Sequence, residues 1–425
     1  MPQTIDAIVL AGGKGTRLAE LTRELPKPLL KVCGKPILDH ILDWLEANGI
    51  ARIYVSTGYQ AEKIHRHLDA TGRKTTLFVQ EREPLGTAGA VLEIAKKHNL
   101  SDPFFVIYGD EISSIELTPM LEFHNGKKAE ATLLVGPSIH PHDSDLLELD
   151  EGSRITVIHP KPHEAGKCFH NLSNKALYVL TKKFLQRVPG GKAIDFGREV
   201  FPSAASEGAR MFGYQSGEYI FDVGTKERLA QAEEDLKMGR NRMGSAKRPR
   251  PCVFLDRDGV INFEINGVLK PEDLKIIEGI PECIGRLNRE GVLVIVTTNQ
   301  PYVAKGMLSL KTLDEIHKRL EWELGMKGAY MDKIYFCPHH PEKGHAGEVP
   351  GLKIDCGCRK PKAGMIDSAF SDFHIDGERS VVVGDSERDV GMARAAKIDY
   401  YKVEPNSSPG EWLEKVLKRL ERVET

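Results

Sequence analysis

The sequence has almost no net charge and no long apolar run. Its 425 residues include 59 Lys and Arg against 61 Asp and Glu, which leaves a formal charge of -2. Such a balance gives no global basic field for nucleic acid or an anionic membrane. No apolar run approaches the roughly 20 residues that span a bilayer, and no cationic stretch precedes a signal-type apolar core. We therefore expect a cytoplasmic protein that acts on small molecules, without nucleic-acid or membrane partners. The sequence does not decide whether the protein forms a homo-oligomer.

Cysteine is scarce and odd in number. The seven cysteines fit no disulfide framework, but three of them lie close together near the C-terminal end. Cys337 and His339 in CPHHP, with Cys356 and Cys358 in CGC, make a full tetrahedral ligand set. A closed set of this kind favours structural Zn²⁺ over a catalytic ion. His340 is a competing ligand, and free buried cysteines are the alternative.

The length and the pattern of apolar runs predict two α/β domains. Single cores stop growing at roughly 250 to 300 residues. Runs such as DAIVLAGG and FFVIYGD alternate with helical patterns, which is typical of a largely parallel sheet, and the rhythm restarts at CVFLDRDG. The intervening KMGRNRMGSAKRPRP carries six basic residues and no acidic ones; we interpret it as a linker rather than a polyanion site. The predicted division is 1–236, a linker at 237–250, and 251–425.

A glycine-rich loop follows the first predicted strand. In LAGGKGTRL, Gly12, Gly13 and Gly15 would let backbone N–H groups wrap phosphate oxygens, and Thr16 and Arg17 come directly after them. Arg17 would add charge-assisted hydrogen bonds. The loop lacks the spacing of G-x-x-x-x-G-K-[ST] and of G-x-G-x-x-G, so neither an ATPase nor a dehydrogenase is favoured. For the loop alone, a turn without a chemical role is the alternative.

The loop and the segment LTRELPKPLLKVCGKPIL together resemble the sugar-nucleotide pyrophosphorylases. This family exchanges a nucleoside triphosphate and a sugar 1-phosphate for a nucleotide sugar and pyrophosphate, on a Rossmann-like sheet. The resemblance implies that Arg17 and Lys27 neutralise the phosphates. It also implies that Gln80, with Gly86 and Thr87 of LGTAGA, reads the nucleobase and approaches the ribose.

Two aspartates match the metal ligands of the same family. Asp110 ends the run FFVIYGD, and Asp222 lies in FDVGTKERL; the resemblance implies that both hold Mg²⁺, which would screen the reacting phosphates. Lys161 in HPKP and Asn174 in SNKALYVL resemble residues that grip the sugar phosphate and contact the sugar. Ala176 stands where the family has glycine.

After the predicted strand CVFL, two carboxylates stand two residues apart in DRDG, which resembles the first motif of the haloacid dehalogenase phosphatases. The resemblance implies that Asp256 is the nucleophile and Asp258 the general acid and base. It also implies Mg²⁺ held by Asp256, the backbone carbonyl of Asp258, and Asp385 of VVVGDSERDV, with Asp389 assisting through water. The family fold is a doubly wound parallel sheet. For the two carboxylates alone, a solvated turn is the alternative.

Two further motifs follow in the order that the phosphatase family has them. Thr298 and Asn299 in VTTNQ resemble its phosphate-binding second motif. Lys360 in CRKPKAGM resembles the lysine that neutralises the transferring phosphoryl group, and Arg359 precedes it. A phosphotransferase that uses an acceptor other than water would need the same residues.

The two resemblances cover nearly the whole chain and narrow the substrate. CPHHP with CGC and CRKP resembles a branch that contains heptose 1,7-bisphosphate 7-phosphatases and histidinol-phosphate phosphatases. LGTAGA resembles mannose and heptose 1-phosphate guanylyltransferases, but cytidylyl and uridylyl relatives share this loop, so CTP and UTP are alternatives to GTP. Together the two resemblances imply an enzyme that removes the 7-phosphate of D-glycero-D-manno-heptose 1,7-bisphosphate and joins the 1-phosphate to GMP from GTP. The alternatives are a mannose 1-phosphate guanylyltransferase fused to a phosphatase of histidinol phosphate or another monophosphate, and a catalytically silent regulatory module.

Overall fold

The computed structural model describes residues 4–13, 15–81, 83–190 and 193–420. The chain forms two compact units. The first unit comprises Met1–Val135, Leu147–Lys161 and Asn174–Arg242. The second unit comprises Gly136–Leu146, Pro162–Ser173 and Met243–Thr425. Two short segments from the N-terminal half of the sequence thus belong to the second unit.

The first unit is built on a mixed β-sheet. Its strands are β1 (Asp6–Ala11), β2 (Lys31–Val32), β3 (Lys35–Pro36), β4 (Arg52–Thr57), β5 (Thr76–Gln80), β6 (Phe104–Tyr108), β7 (Glu111–Ser113), β8 (Ala131–Gly136), β9 (Leu146–Leu149), β10 (Ile155–His159), β11 (Ser173–Leu180), β12 (Met211–Gln215) and β13 (Ile220–Asp222). Among the described residues, nine strands join in one sheet, in the order β10-β9-β11-β6-β1-β4-β5, with β8 pairing with β11 and β12. Strands β6, β1, β4 and β5 are parallel, so their carboxyl ends share one edge.

The helices of the first unit cover this sheet. They are α1 (Ala19–Thr22), α2 (Ile37–Ala47), α3 (Ala61–Thr71), α4 (Gly86–Lys97), α5 (Leu117–Gly126), α6 (Lys182–Leu185), α7 (Phe201–Ser206) and α8 (Lys226–Lys237). Helix α2 shows why: Ile37, Leu38, Ile41, Leu42 and Leu45 recur at helical spacing and are all buried. They pack in the same core as strand residues of β1 and β4.

The second unit contains a parallel sheet with helices between its strands. The strands are β14 (Cys252–Leu255), β15 (Leu293–Asn299), β16 (Lys333–Cys337), β17 (Val381–Gly384) and β18 (Asp399–Lys402). The helices are α9 (Ile280–Arg289), α10 (Pro301–Ala304), α11 (Leu310–Gly325), α12 (Gly364–Asp372), α13 (Glu387–Ala396) and α14 (Gly410–Leu420). The strand order is β16-β15-β14-β17-β18. Because the order reverses between β14 and β17, the crevice at their carboxyl ends is where such a sheet binds ligands. The predicted two-domain α/β architecture is confirmed.

Segment 162–173 is held in the second unit by a half-buried histidine, His170. His170 Nε2 lies 2.8 Å from Asp314 Oδ1, and its Nδ1 lies 3.1 Å from Glu321 Oε2. Burial by itself would lower the pKa of His170, but the two carboxylates raise it to about 10. Beside it, the rings of Phe169 and Trp322 pack edge to face at 5.6 Å. The segment is therefore held by charge and by aromatic packing.

The basic segment predicted as a linker carries backbone pairing near its C-terminal end. Ser245 and Arg248 form an isolated bridge. The Arg250 N–H donates to the His374 carbonyl at 2.9 Å, and the Asp376 N–H donates to the Arg250 carbonyl at 2.8 Å. Residues 245–250 thus have defined local structure. Within the described residues, no helix is both long enough and apolar enough to cross a membrane.

Candidate active sites

The glycine-rich loop of the first unit lies where β1 ends. The Gly109 N–H, just past β6, donates to the Leu10 carbonyl at 2.9 Å, which draws the ends of β1 and β6 together. Arg17 lies in a 3₁₀ turn after the loop. A Cβ built on Gly224 would lie 3.2 Å from Arg17 Nη2 and 2.7 Å from Asp222 Oδ1. The side chains of Arg17 and Asp222 therefore both lie beside Gly224. The side chain of Thr16 lies outside the described part of the structure.

The two predicted metal aspartates meet at Lys27. Asp110 follows β6, and Asp222 ends β13, which pairs antiparallel with β7. Lys27 forms an ion pair with Asp110, and its Nζ lies 3.9 Å from Asp222 Oδ1. Arg228 forms an ion pair with Asp222 on the other side. The fold thus brings together three residues that the resemblance assigned to the reaction.

A third carboxylate, which sequence reasoning missed, belongs to the same group. Glu111 is opposite Asp222 in the strand register, and oxygens of Asp110, Glu111 and Asp222 lie within 4.8 Å of one another. Burial, followed by the charges of Asp222 and Asp110, raises the pKa of Glu111 well above its usual range; Lys175 and Lys27 oppose this only in part. Carboxylate oxygens are the hard donors that Mg²⁺ prefers, so the three side chains fit this ion. The available signal was the position of Glu111 directly after Asp110.

The predicted nucleobase readers are engaged within the protein to different degrees. Gln80 ends β5 with its side chain exposed. Thr87 Oγ1 donates to Asp195 Oδ2 at 2.8 Å and accepts from the Phe196 N–H at 2.9 Å. A Cβ on Gly86 would lie 2.4 Å from the Ile194 carbonyl oxygen. Gly86 and Thr87 therefore fasten the start of α4 to segment 194–196.

The predicted sugar contacts lie on two other elements. The Asn174 amide donates from Nδ2 to Tyr178 Oη at 3.0 Å, and its Oδ1 accepts from the Ala176 N–H at 3.0 Å. Ala176 has a positive φ of 52°, the conformation that glycine adopts most easily. Lys161 is half-buried just after β10. Both ends of the Asn174 side chain thus bond to other residues of β11.

In the second unit, Asp256 and Lys360 face each other. Asp256 follows β14, and Lys360 Nζ lies 2.9 Å from Asp256 Oδ1 and 2.5 Å from Asp389 Oδ1. Burial raises the pKa of Asp256 to about 7; Lys360 opposes the shift and Asp389 adds to it. The arrangement holds a carboxylate at a strand end beside a buried ammonium group.

Asp385, after β17, completes a group of carboxylates. Oxygens of Asp256, Asp385 and Asp389 lie within 4.8 Å of one another. Burial and the charge of Asp389 raise the pKa of Asp385 to about 6. Gly259 has a φ of +82°, and a Cβ there would lie 2.1 Å from Asp385 Oδ2, so only glycine permits this approach. The three carboxylates repel one another, so a cation between them would be stabilising, and oxygen donors are the ligands that Mg²⁺ prefers.

The side chain of Asp258 is not part of this carboxylate group and is held by hydrogen bonds from three neighbouring side chains. Arg257, which is fully buried, donates from Nη2 to both Asp258 oxygens at 2.9 and 3.0 Å. Asn262 and Gln300 donate to the same carboxylate at 3.0 and 2.9 Å. Burial favours a higher pKa, but the Arg257 charge and these hydrogen bonds hold the pKa of Asp258 below its usual range. Sequence reasoning missed Arg257 and Gln300, although each is adjacent to a motif residue.

The second-motif residues support the loop that carries Lys360. Asn299 Oδ1 accepts from the Lys360 N–H at 3.1 Å, and Asn299 Nδ2 donates to the Lys360 carbonyl at 3.3 Å. Thr298 is buried, and its hydroxyl accepts from Gln300 Nε2 at 2.9 Å. Arg359 donates to the His339 carbonyl at 3.1 Å.

The cysteine cluster assembles as four converging ligand atoms. Cys358 Sγ lies 3.2 Å from Cys356 Sγ and 3.4 Å from His339 Nδ1. Cys337 Sγ lies 3.5 Å from Cys356 Sγ and 3.7 Å from His339 Nδ1. Bond lengths of about 2.3 Å for Zn–S and 2.0 Å for Zn–N imply tetrahedral edges of roughly 3.5 to 3.8 Å. The cluster could hold a metal ion of this kind, and His339 is its histidine; His340 groups instead with Glu342 and His345.

Comparison with known proteins agrees with the N-terminal geometry. Residues 6–239, more than half of the chain, match the family model of nucleotidyl transferases. The chain belongs to this nucleotidyl transferase family. Its transferase part is 32% identical over 239 residues to mannose-1-phosphate guanylyltransferase from Mycobacterium tuberculosis, which is 55% of this chain and 65% of that protein. The chain thus spans slightly less than two thirds of that relative.

A C-terminal part of this nucleotidyl transferase chain matches a hydrolase family model, and further relatives are phosphatases. Residues 357–423 match a HAD-hydrolase-like family model. D-glycero-beta-D-manno-heptose-1,7-bisphosphate 7-phosphatase from Vibrio cholerae is 40% identical over 149 residues, 35% of this chain and 78% of that protein. The enzyme of that name from Rhodopseudomonas palustris is 41% identical over 155 residues, 36% of this chain and 84% of that protein. Among solved structures, HddC from Yersinia pseudotuberculosis is 26% identical, with 55% of this chain and 100% of that chain covered and a TM-score of 0.47.

These matches confirm the two expected family memberships. The nucleotidyl transferase match includes Arg17, Lys27, Asp110 and Asp222. The matches to the two phosphatases span more than three quarters of the length of each phosphatase. The chain is therefore an enzyme that combines a transferase domain and a hydrolase domain.

Proposed function

We propose that the chain is a bifunctional enzyme of nucleotide-activated heptose biosynthesis. Its C-terminal domain hydrolyses the 7-phosphate of D-glycero-D-manno-heptose 1,7-bisphosphate. Its N-terminal domain transfers GMP from GTP to the resulting 1-phosphate, giving GDP-heptose and pyrophosphate. The observation that carries the proposal is the fusion of a segment 40% identical to a heptose bisphosphate phosphatase with a guanylyltransferase-like domain. One domain leaves the sugar 1-phosphate that the other requires.

The hydrolase reaction is assigned to the carboxylates at the ends of β14 and β17. Asp256 and Asp385, with the backbone carbonyl of Asp258, would hold Mg²⁺, which supplies positive charge beside the phosphate. An Asp256 oxygen attacks phosphorus, and the P–O bond to the sugar breaks as Asp258 protonates the departing oxygen. Water then attacks the aspartyl phosphate and gives its proton to Asp258. Lys360, 2.9 Å from Asp256, neutralises the transferring group.

The hydrogen bonds to Asp258 constrain how this residue acts as the acid. The carboxylate is ionised where Arg257, Asn262 and Gln300 all donate to it. Protonation therefore requires that at least one of these hydrogen bonds is exchanged when substrate binds. We assign Gln300 this exchange, because its amide also bonds to Thr298 and can keep that partner.

The transferase reaction is assigned to the cluster around Lys27. Asp110 and Asp222 would hold Mg²⁺, which screens the α-phosphate and the leaving pyrophosphate. An oxygen of the sugar 1-phosphate attacks the α-phosphorus, and the bond to the β-phosphate oxygen breaks. The attacking oxygen is already anionic, so no protein base is needed. Arg17 and Lys27 neutralise the phosphates as charge moves onto pyrophosphate.

The four ligand atoms from Cys337, His339, Cys356 and Cys358 are assigned to structural Zn²⁺. Thiolate and imidazole donors are typical of closed zinc sites. The Arg359 hydrogen bond to the His339 carbonyl joins this site to the loop that carries Lys360. A cytoplasmic location, the absence of nucleic-acid and membrane partners, and the possible homo-oligomer stay predictions.

Mannose 1-phosphate is a second candidate substrate for the transferase domain, because a relative is named mannose-1-phosphate guanylyltransferase. The discriminating experiment measures kcat/KM with GTP for mannose 1-phosphate and for D-glycero-D-manno-heptose 1-phosphate. Higher efficiency with the heptose supports the proposal, and higher efficiency with mannose replaces it. Comparing heptose 1,7-bisphosphate with histidinol phosphate decides the hydrolase substrate in the same way.

A further inference from the structure

We propose that His317 is a positioning residue of the hydrolase domain that orients Asp258 through Arg257; the inference rests on the proposed function of that domain. Asp258 is assigned the role of the acid, and an acid transfers its proton only when it lies within hydrogen-bonding distance of the departing oxygen. The orientation of its side chain therefore matters as well as its charge. Arg257 holds this side chain, and Arg257 is in turn held by His317, 60 positions further along the chain.

The guanidinium group of Arg257 has a partner at each of its three nitrogen atoms. Its Nε and Nη2 donate to Asp258 Oδ1 at 3.2 and 2.9 Å, and Nη2 also donates to Asp258 Oδ2 at 3.0 Å. Its Nη1 lies 3.3 Å from His317 Nε2. Because a guanidinium is planar and rigid, the partner at Nη1 restricts how the two nitrogens that hold Asp258 can turn. Arg257 is fully buried, so bulk water does not replace the His317 nitrogen.

The surroundings of His317 make its imidazole an acceptor. The residue lies in α11 and is 5% exposed. Burial, followed by the charges of Arg257 and His170, lowers the pKa of His317 to about 3. The carboxylates of Asp314 and Asp258 oppose this shift only in part. The imidazole is therefore neutral, and with its proton on Nδ1 it presents the Nε2 lone pair to the Arg257 N–H.

Contacts on α11 keep the imidazole neutral and in place. The Phe336 ring of β16 lies 5.5 Å from the His317 ring, centroid to centroid. Asp314 and Glu321, three residues before and four residues after His317, lie on the same face of the helix. Both carboxylates hold the cation of His170, and the charge of that cation disfavours a proton on His317. The helix thus presents a fixed lone pair to the buried guanidinium.

Loss of this acceptor should slow the chemical step and leave substrate binding intact. Neither His317 nor Arg257 is assigned to the phosphate or to Mg²⁺. Without the imidazole, Nη1 of Arg257 is a buried donor that lacks a partner, which is costly. The guanidinium then turns toward another acceptor and carries the Asp258 carboxylate with it, so proton transfer to the departing sugar oxygen slows. A p-nitrophenolate leaving group departs as an anion and takes no proton, so its release should be much less affected.

The test compares cleavage of heptose bisphosphate and of p-nitrophenyl phosphate by the full-length protein, in excess over substrate so that each rate reports the first P–O cleavage. His317→Leu should slow cleavage of heptose bisphosphate by about 100-fold, the lower end of what general acid catalysis contributes, at an unchanged half-saturating protein concentration. It should slow release of p-nitrophenolate by less than about tenfold, because that step draws little on an acid. His317→Gln, whose Oε1 can accept from Arg257, should restore most of the lost rate. Glu315→Gln, on an exposed residue of the same helix, is the matched control and should keep both wild-type rates.

The outcomes separate this inference from the function on which it rests. Wild-type rates in His317→Leu overturn the inference, and so does an equal loss with both substrates, because that loss indicates a purely structural residue. A His317→Gln protein as slow as His317→Leu overturns it as well, and this comparison decides alone if p-nitrophenyl phosphate is not cleaved. If His317→Leu does not fold, His317→Asn replaces it, because the shorter side chain does not reach Arg257. Wild type that leaves heptose bisphosphate intact overturns the proposed substrate, and histidinol phosphate then serves as the alkyl ester in the same comparison.

Discussion

Two aspartates that stand two residues apart have opposite electrostatic surroundings. Asp256 is half-buried, and desolvation raises its pKa to about 7, with Asp389 adding to the shift and Lys360 opposing it. Asp258 is also half-buried, but Arg257 and two amide donors hold its pKa below the usual range. Environment, not residue type, thus separates the proposed nucleophile from the proposed acid and base, and a bound divalent cation would restore the charge of Asp256.

Asp256→Asn should abolish phosphate release and leave nucleotidyl transfer intact. An amide cannot act as the nucleophile, so we expect the hydrolase rate to fall by at least about 1,000-fold. Phosphate and pyrophosphate release are measured separately, with heptose bisphosphate and with GTP plus sugar 1-phosphate. Asp222→Asn is the reciprocal control. Loss of both activities in either variant would contradict two independent sites.

Some of these site residues could be predicted and others could not. Asp110, Asp256 and Asp385 follow strand-like runs, and parallel strands place such residues at one edge of the sheet. Gln300 contacts Asp258 across 42 positions of sequence. Glu111 directly follows Asp110, but it meets Asp222 only through the pairing of β7 and β13. Contacts of this kind depend on tertiary register, which local pattern does not reveal.

At the scale of elements, helix α13 begins and ends by different means. Ser386 and Asp389 form a capping box at its start. Its C-terminal cap, Lys397, has a positive φ of 58° and bonds through its N–H to the carbonyls of Ala393 and Arg394. A side chain in this conformation is strained, whereas glycine is not.

Lys397→Gly should therefore stabilise the second unit by about 0.5 to 1 kcal/mol, since relief of strain exceeds the added flexibility of the unfolded chain. Urea unfolding gives the free energy. Ala396→Gly, one residue earlier within the helix, is the control and should destabilise by about 1 kcal/mol. Equal effects of the two substitutions would refute this reading of the helix end.

The proposed zinc ligands, Cys337, His339, Cys356 and Cys358, lead to a further prediction at this scale. His339 Nδ1 lies among the cysteine sulfurs, whereas His340 does not. His339→Ala should lose most of the roughly one equivalent of zinc and most phosphatase activity, because the loop also positions Lys360. His340→Ala should retain zinc. Metal content by elemental analysis decides, and wild-type protein without zinc would show that the cluster is not a zinc site.

For the whole molecule, the main departure from the sequence-based picture is the membership of segments 136–146 and 162–173 in the second unit. His170 and Glu321 are 151 positions apart, so no local pattern pointed to their contact. The alternation of strands and helices, by contrast, predicted both sheets. The class of fold follows from local periodicity, while the assignment of loops to a unit follows from long-range packing.

The contacts of His170 should make the stability of the second unit depend on pH. Its pKa is raised to about 10 in the fold, from an unfolded value near 6.5. A raised pKa stabilises the fold fully below about pH 6.5, and this contribution is lost as the pH rises through about 10. His170→Gln should therefore cost about 1 to 3 kcal/mol at pH 6 and progressively less toward pH 10.

Urea unfolding of the second unit at pH 6, 8 and 10 measures that difference. His374→Gln, on an exposed histidine of the same unit, is the control and should change little at any pH. A constant difference between wild type and His170→Gln from pH 6 to 10 would mean that His170 is not held as a cation.

The central claim is that one chain carries out two consecutive reactions on a heptose phosphate. The most direct measurement incubates the purified protein with Mg²⁺, GTP and D-glycero-D-manno-heptose 1,7-bisphosphate, and resolves phosphate, pyrophosphate and nucleotide sugar as separate products. We predict that all three form, with phosphate preceding the other two. Phosphate without pyrophosphate would contradict the assigned nucleotide or sugar anomer, and the absence of both would contradict heptose bisphosphate as the substrate.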